Sequence, residues 1–251
     1  MSGHSKWSSI KHKKAVTDAR KGQQFTKMAR EITIAAREGG GNPDGNHRLR
    51  LAMEKARSAN MPQDNVQRAI KRGTGELGGA QIEQLRFEGY GPHGVAIMVE
   101  TVTDNRNRTS SDIRNLFTRA GGNLGATGSV GWMFTREGQI VVDARGKDPE
   151  EIGLEAIELG ATDARVDGST VEVVTDPARL EPVRDSLRKK GFKVDSAEVT
   201  MNSSQVVELD ETRAPGVLKL LDSLEEHDDV QSVYSNIEVP ADVMERISER
   251  V

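Results

Sequence analysis

A chain of 251 residues is long enough for one or two domains, each with its own buried core. It is 35% hydrophobic and 29% charged, and no apolar run approaches the roughly 18 residues that a membrane span needs. The absence of cysteine excludes disulfides, thiolate nucleophiles, zinc–cysteine sites and iron–sulfur clusters. The first residues lack the apolar stretch of a signal peptide, so we expect a cytoplasmic protein, or one inside an organelle.

Positive charge is concentrated at the start of the chain. Residues 1–75 contain 16 Lys and Arg against 6 Asp and Glu, a net charge of +10. The remaining residues contain 19 against 33, a net charge of −14. A basic block joined to an acidic body favours a polyanionic partner for the basic block. The alternative is a solvated helical surface that binds nothing.

Apolar residues recur at helical spacing in the basic block and predict three helices. Gly39 to Gly41 end the first helix, and Pro62 suits the first turn of the third. Because the apolar stripes are narrow and rich in alanine, the helices can pack closely in a small bundle. The stripes consist of Phe25, Met28, Ile32 and Ala35, of Leu49, Ala52, Met53, Ala56 and Ala59, and of Val66, Ala69 and Ile70.

Glycines between residues 73 and 79 mark a flexible boundary, after which strands alternate with helices. Residues 137–203 indicate the order β-α-β-β-α-β of a split βαβ module, with a hairpin signal at Asp167 and Gly168. The flanking pieces, 94–136 and 204–240, each indicate β-α-β. Together they complete the same pattern if the middle module is an insertion, although two consecutive domains would give the same order of elements.

We therefore predict a multidomain α+β protein, with an N-terminal helical bundle and two ferredoxin-like modules, one inserted in the other. The bundle, residues 1–76, is the expected nucleic-acid-binding domain. Residues 77–136 and 204–240 form the split α+β domain, and residues 137–203 form the inserted domain. The last residues, 241–251, are expected to be a C-terminal tail.

A lysine-rich arm with one tryptophan precedes the first apolar stripe. Cations neutralise phosphates, and an indole ring can stack on an exposed base. For the tryptophan alone, packing as an apolar anchor on the following helix is the simpler explanation. The candidate nucleic-acid-binding residues of this region are Lys6, Trp7, Lys11, Lys13, Lys14, Arg20 and Lys21.

Arg68, Lys71 and Arg72 form a second group of candidate binding residues. Their spacing of three and four residues places them on one helix face. They can contact phosphates, or they can simply complement the dipole at the C-terminal end of their helix.

Arg106 and Arg108 form a third candidate group, at a point where a strand gives way to a helix. Two guanidinium groups beside free N–H groups could hold a phosphate or a carboxylate. The alternative is local helix capping by a neighbouring Asp or Asn. The glycine-rich segment from Gly121 to Gly128 lacks the GK[ST] and GxGxxG patterns of phosphate loops, so a helix C-cap and a turn explain it more simply, and a binding loop is the alternative.

No pattern typical of catalysis or of a resident cofactor occurs in the sequence. The five histidines fall in no metal-binding spacing, and no Gly-x-Ser-x-Gly elbow is present. We therefore expect no catalytic residue, no metal, no cofactor, no small-molecule substrate and no membrane partner. An enzyme with an unrecognised site is the third and least favoured alternative for the function.

The sequence resembles the YebC family over nearly its whole length. The similar strings, in the same order, are GHSKW at 3–7, IKHKKAVTDARKG at 10–22, NMPQDNVQRAIKRGTG at 60–75, FEGYGPHGVAIMVETVTDNRNRT at 87–109, GGNLGATGSV at 121–130 and DDVQSVY at 228–234. This resemblance implies three domains and a cytosolic, non-enzymatic role in gene expression. Family members have been described as DNA-binding transcription regulators, and others as ribosome- or RNA-associated factors that help translation.

The residues slightly favour RNA and the ribosome over DNA. A DNA reader presents a helix whose exposed side reaches base edges, often in a two-fold dimer. Here the most exposed basic segment is a short arm, and an acidic body behind it suits a factor that inserts one end into folded RNA. DNA-binding transcription regulation remains the alternative, and the oligomeric state stays open.

Overall fold

The computed structural model describes residues 18–78 and 82–249. They form two compact units, one from residues 18–78, 82–131, 208–235 and 239–249, and the other from residues 132–207 and 236–238. Among the helices of these residues, none is long and apolar enough to cross a bilayer.

The basic block folds as three helices around the predicted stripes. They are α1 (Asp18–Gly39), α2 (His47–Ser58) and α3 (Gln63–Gly73). Asn46 caps α2, since its Oδ1 accepts a hydrogen bond from the Leu49 amide at 3.0 Å. Small residues let the helices approach one another, and the shared core consists of Met28, Ile32, Ala35, Ala36, Leu49, Ala52, Ala56, Met61, Val66, Ala69 and Ile70.

A four-stranded antiparallel sheet lies in the same unit as these helices. Its strands and the helices of this part of the chain are β1 (Glu83–Tyr90), β2 (Ala96–Thr103), α4 (Arg106–Arg119), β3 (Asn123–Leu124), α7 (Ala214–Glu225), β9 (Val230–Ser235) and α8 (Ala241–Glu249). The strand order in the sheet is β3-β1-β2-β9.

Strand β1 is an element that the apolar pattern does not reveal. Its sequence, EQLRFEGY, mixes charged residues with few apolar ones. It becomes a strand through backbone pairing along the whole length of β2, from Glu83 opposite Thr103 to Tyr90 opposite Ala96. Further along the chain, residues Gly131–Met133 form a 3-10 turn.

The other unit contains the predicted split βαβ module. Its elements are β4 (Phe134–Asp143), α5 (Pro149–Glu158), β5 (Asp163–Asp167), β6 (Thr170–Thr175), α6 (Leu180–Lys189) and β7 (Lys193–Ser203). The antiparallel sheet has the order β5-β6-β4-β7. Both helices pack on a core that includes Ile140, Val142, Val171 and Val173. The α+β class, with a helical N-terminal region and several antiparallel sheets, is thereby confirmed.

Residues Ala241–Glu249, within the expected tail, form a helix. Helix α8 buries Val243, Met244 and Ile247, and Arg246 pairs with Glu211 at 3.1 Å. Strands β8 (Val207–Glu208) and β10 (Ile237–Glu238) form a small sheet of their own. The division into three domains at the stated boundaries stays a prediction.

Candidate nucleic-acid interface

Helix α3 buries its apolar side and exposes three cations. Arg68, Lys71 and Arg72 lie on one exposed face of the helix. Within the described part of the chain, none of these three side chains makes an ion pair or a hydrogen bond. We call these residues the α3 cationic face. Lys71 and Arg72 also lie in the last turn of the helix, where they complement its dipole.

Close contact with α1 holds this face in position. The Thr33 hydroxyl donates to the Ala69 carbonyl at 3.1 Å. A Cβ atom at Gly73 would lie 2.4 Å from the Thr33 carbonyl oxygen and 2.7 Å from the Ala36 Cβ. Because this spacing leaves no room for a side chain at residue 73, the last turn of α3 lies directly on α1.

Most other described cations of the helical region are occupied by protein groups. Arg37 donates to the Ile82 carbonyl, and Lys55 lies 3.8 Å from a carboxylate oxygen of Glu31. Arg48 pairs with Glu38 and Arg50 hydrogen-bonds to the His47 ring. The cations that remain exposed, without a partner among the described residues, are Lys21, Arg57 and the α3 cationic face.

Three polar residues of α1 bind the C-terminal end of α7. Gln23 donates to the Glu226 carbonyl at 2.8 Å. Lys27 and Arg30 donate to the carbonyls of Glu225 and Asp228. Burial lowers the pKa of Lys27, although nearby carboxylates oppose that shift. These contacts fix the helical region to the sheet of the same unit, so Lys27 and Arg30 do not belong to a free cationic surface.

Sequence reasoning missed Arg57, which lies at the edge of a cleft between α2 and α3. The helical period places this residue outside the apolar stripe of α2, and this position in the sequence already indicates that its side chain is exposed. The cleft has a volume of about 310 Å³ and is lined by Met53, Arg57, Asn60, Met61, Gln63 and Val66.

The lysine-rich arm contributes little that the structure describes. Helix α1 begins at Asp18 and includes Arg20 and Lys21, of which Lys21 is exposed. The candidate residues Lys6, Trp7, Lys11, Lys13 and Lys14 lie outside the described residues, and their role stays a prediction.

The third candidate group divides into an arginine that pairs with carboxylates of the protein and one that does not. Asn105 caps α4 through a hydrogen bond from the Arg108 amide at 3.1 Å. The Arg108 guanidinium lies 2.9 Å from Asp229 and 3.0 Å from Asp104. Arg106 is exposed and has no side-chain partner among the described residues. Arg106 is therefore the better candidate for an external anion.

Asp229 is a buried carboxylate shared by two arginines. Its side chain is 2% exposed and also lies 2.8 Å from the Arg30 guanidinium. The hydroxyl of Thr109 donates to it at 2.6 Å. Burial opposes its ionisation, but the hydrogen bonds from Thr109 and Arg108 and the charges of Arg30 and Arg108 outweigh that effect, so the pKa of Asp229 is lowered.

The glycine-rich segment after α4 surrounds a carboxylate that belongs to the protein itself. Glu88, which is buried, accepts hydrogen bonds from the amides of Val130 at 2.9 Å and Gly131 at 2.7 Å. Burial of Glu88 opposes ionisation, but these bonds and one from Gly128 outweigh it and lower the pKa of the Glu88 carboxyl. Because this internal carboxylate occupies these amides, they are not available to an external phosphate.

No group of three or more His, Asp and Glu side chains suited to a metal occurs among the described residues. His227 makes local contacts, since its Nδ1 accepts from the Asp229 amide at 3.1 Å and its Nε2 lies 3.4 Å from Asp112.

Two family models match the chain. The model described as TACO1/YebC protein N-terminal domain matches residues 5–76. The model described as TACO1/YebC second and third domain matches residues 82–237. Together they cover the helical region, the four-stranded sheet and the inserted module.

Individual relatives agree with the family models. A probable transcriptional regulatory protein of Dictyoglomus turgidum is 50% identical over 249 residues, which are 99% of this chain and 100% of that protein. One of the same name from Treponema denticola is 54% identical over 240 residues, 96% of this chain and 97% of that protein. The crystal structure of a conserved hypothetical protein from Aquifex aeolicus superposes with a TM-score of 0.80 at 48% identity, covering 89% of this chain and 92% of that chain. This chain belongs to the TACO1/YebC family.

Proposed function

We propose that this protein is a cytoplasmic, non-enzymatic regulator of gene expression that binds nucleic acid through the α3 cationic face. One observation carries the proposal. Arg68, Lys71 and Arg72 remain exposed and unpaired within the described residues, in a helical region where most other described cations are occupied. Exposed cations clustered on one short surface are what a phosphate backbone attracts.

The chemistry of this face suits backbone contact better than base reading. Asp64 lies in the first turn of α3, while Lys71 and Arg72 lie in its last turn. A helix that reads the major groove uses its N-terminal residues, and a carboxylate there repels the flanking phosphates. Cations at the other end of the helix fit closely spaced phosphates, such as those of folded RNA. We therefore favour ribosomal RNA as the target and relief of stalled translation as the effect.

A specific observation also favours the alternative, a transcription regulator that binds DNA. Helices α2 and α3 are joined by a turn of four residues, in which Asn60 adopts a positive φ of 58°. Two helices joined by such a turn are typical of helix-turn-helix DNA-binding domains. The relatives named above are also called probable transcriptional regulatory proteins.

A translation system reconstituted from purified components distinguishes these functions. It contains a preformed messenger and no promoter, so an effect on transcription cannot contribute to its output. We expect the full chain to co-sediment with ribosomes at moderate salt and to raise the yield from a messenger on which ribosomes stall. A variant with R68Q, K71Q and R72Q should lose most of both effects.

Two outcomes separate the candidate targets. A failure to bind ribosomes, together with a discrete promoter footprint in which specific DNA competes about a thousandfold better than random DNA, contradicts the translation proposal. If the chain binds ribosomes and leaves no such footprint, any affinity that it shows for DNA is a general attraction to phosphate.

A further inference from the structure

The inserted module carries an exposed apolar patch on helix α5 and the neighbouring strand β5. Leu154 is 69% exposed, Ile157 46% and Val166 52%. The other large hydrophobic residues that are exposed in the described chain are Leu77, Trp132 and Val206. We call Leu154, Ile157 and Val166 the α5 patch.

The packing of α5 on β5 explains how these residues share one surface. Ile152 and Ala156 are buried in the core of the module. A Cβ atom on Gly153 would lie 3.5 Å from the Ala164 Cβ, so this side of the helix rests on β5. Leu154 and Ile157 follow on the outer side of the helix. Val166 lies two residues beyond Ala164 and therefore on the same face of the strand.

Carboxylates border the α5 patch. Glu150 and Glu158 lie one helical turn before and after Leu154, and Glu151 lies beside them. All three are exposed and make no ion pair within the described ranges, and the one cation that acts on them electrostatically there is Lys190, near Glu158. Residues 132–207 contain 10 Lys and Arg against 15 Asp and Glu, so the module as a whole is also acidic.

An apolar surface with a negative border restricts the chemistry of its partner. Phosphates of nucleic acid and of anionic lipid are repelled by the three carboxylates. Exposed apolar patches with a polar rim are typical of protein–protein contact sites. We propose that the α5 patch docks a basic amphipathic helix of a protein partner, whose aliphatic side chains cover Leu154, Ile157 and Val166 while its Lys and Arg pair with the glutamates.

The probe for this site is a synthetic peptide with leucines and lysines at helical spacing. A second peptide with glutamate in place of every lysine is its control. We expect fluorescence anisotropy with the full chain to show micromolar binding of the lysine peptide, weakening as salt rises, and no binding of the glutamate peptide.

Variants of the chain locate the binding. The L154Q and I157Q double variant should weaken binding of the lysine peptide by about tenfold or more, since two aliphatic contacts are lost. The L77Q and V206Q double variant changes two hydrophobic residues that are also exposed, and it should bind the peptide as the original chain does.

The E150Q, E151Q and E158Q variant tests the glutamates at the border of the patch. It should bind the lysine peptide more weakly and with less dependence on salt. Its control, with E54Q, E83Q and E208Q, removes the same charge elsewhere in the chain. It should change neither the affinity for the lysine peptide nor the dependence of that affinity on salt.

Three results would overturn the proposal. One is equal binding of the two peptides, and another is equal loss in the L154Q/I157Q and L77Q/V206Q variants. The third is self-association of the chain that L154Q and I157Q abolish, because a second copy would then occupy the patch. The proposal is independent of nucleic-acid binding, so R68Q, K71Q and R72Q should leave peptide affinity unchanged.

Discussion

Asp229 carries a buried negative charge on which Arg30 from α1 and Arg108 from α4 converge. Removing the charge leaves two guanidinium groups beside a neutral amide. We expect Asp229→Asn to lower the free energy of unfolding by about 2–4 kcal/mol, less than for a fully enclosed pair because Arg108 is 46% exposed. Urea unfolding followed by circular dichroism measures this loss.

The matched control for this substitution is Asp104→Asn. It removes another carboxylate that contacts Arg108, but one whose side chain is 49% exposed. A surface pair contributes roughly 0–1 kcal/mol, so the two variants should differ clearly. Equal losses of unfolding free energy in the two variants would show that the burial of Asp229 does not increase its contribution to stability.

The lowered pKa of Asp229 also predicts how stability depends on pH. A carboxyl whose pKa is lower in the folded state contributes stability that is fully present above its unfolded value, about 3.9 for Asp, and that is lost as pH falls through the folded value. The stability difference between the original chain and Asp229→Asn should therefore be constant near neutral pH and shrink below about pH 4. A difference that stays constant down to pH 2, measured by urea unfolding, would contradict this origin of the stability.

At the scale of helices and strands, the position of α3 depends on Gly73. A Cβ atom there would meet the Thr33 carbonyl and Ala36 of α1 at impossible distances. We expect Gly73→Ala to lower stability by about 1–3 kcal/mol, because the last turn of α3 must move away from α1. The control is Gly22→Ala, also in a helix, where a Cβ atom would have no neighbour within 4 Å.

Thermal unfolding distinguishes the two glycine variants. Alanine is the better helix former by roughly 1 kcal/mol, so Gly22→Ala should raise the unfolding temperature while Gly73→Ala lowers it. If Gly73→Ala also raises it, the close contact between α1 and α3 is not a determinant of the fold.

Some helices and strands can be predicted from the spacing of apolar residues in the sequence, and others cannot. The stripe that includes Met28 and Ile32 predicts α1, because one period of 3.6 residues marks the buried face. Strand β1 has no such pattern, because charged residues interrupt its apolar ones and backbone pairing with the next strand, β2, holds it in the sheet. The order of elements in 137–203 was enough to predict the split βαβ module.

The candidate site was predicted less completely than the fold. Sequence spacing placed Arg68, Lys71 and Arg72 on one face, and the structure leaves all three exposed. Asp104 lies four residues before Arg108 and is visible in the sequence, but the buried partner of Arg108, Asp229, lies 121 residues away. A count of charges likewise overstates the number of free cations in the basic block, because Lys27 and Arg30 bind carbonyls at the end of α7 and in the segment after it.

At the scale of the whole molecule, the chain joins a basic helical region to an acidic body. The net charges of +10 and −14 oppose each other, so binding to a polyanion must be local and oriented. We therefore expect the helical region to contact phosphate and the acidic body to stay available for contacts with proteins. The central claim is that the α3 cationic face makes the phosphate contacts.

The dependence of RNA binding on salt tests that claim most directly. Affinity of the full chain for ribosomal RNA would be measured from low to moderate salt, with the R68Q, K71Q and R72Q variant beside it. The control variant, with R136Q, R188Q and K189Q, removes three exposed cations that also lack ion-pair partners in the described structure. We predict that the first variant flattens the slope of log affinity against log salt by about 2 to 3 units, one released counterion for each lost contact, and that the control leaves it unchanged. An unchanged slope in the folded first variant, or the same change in both, would contradict the account.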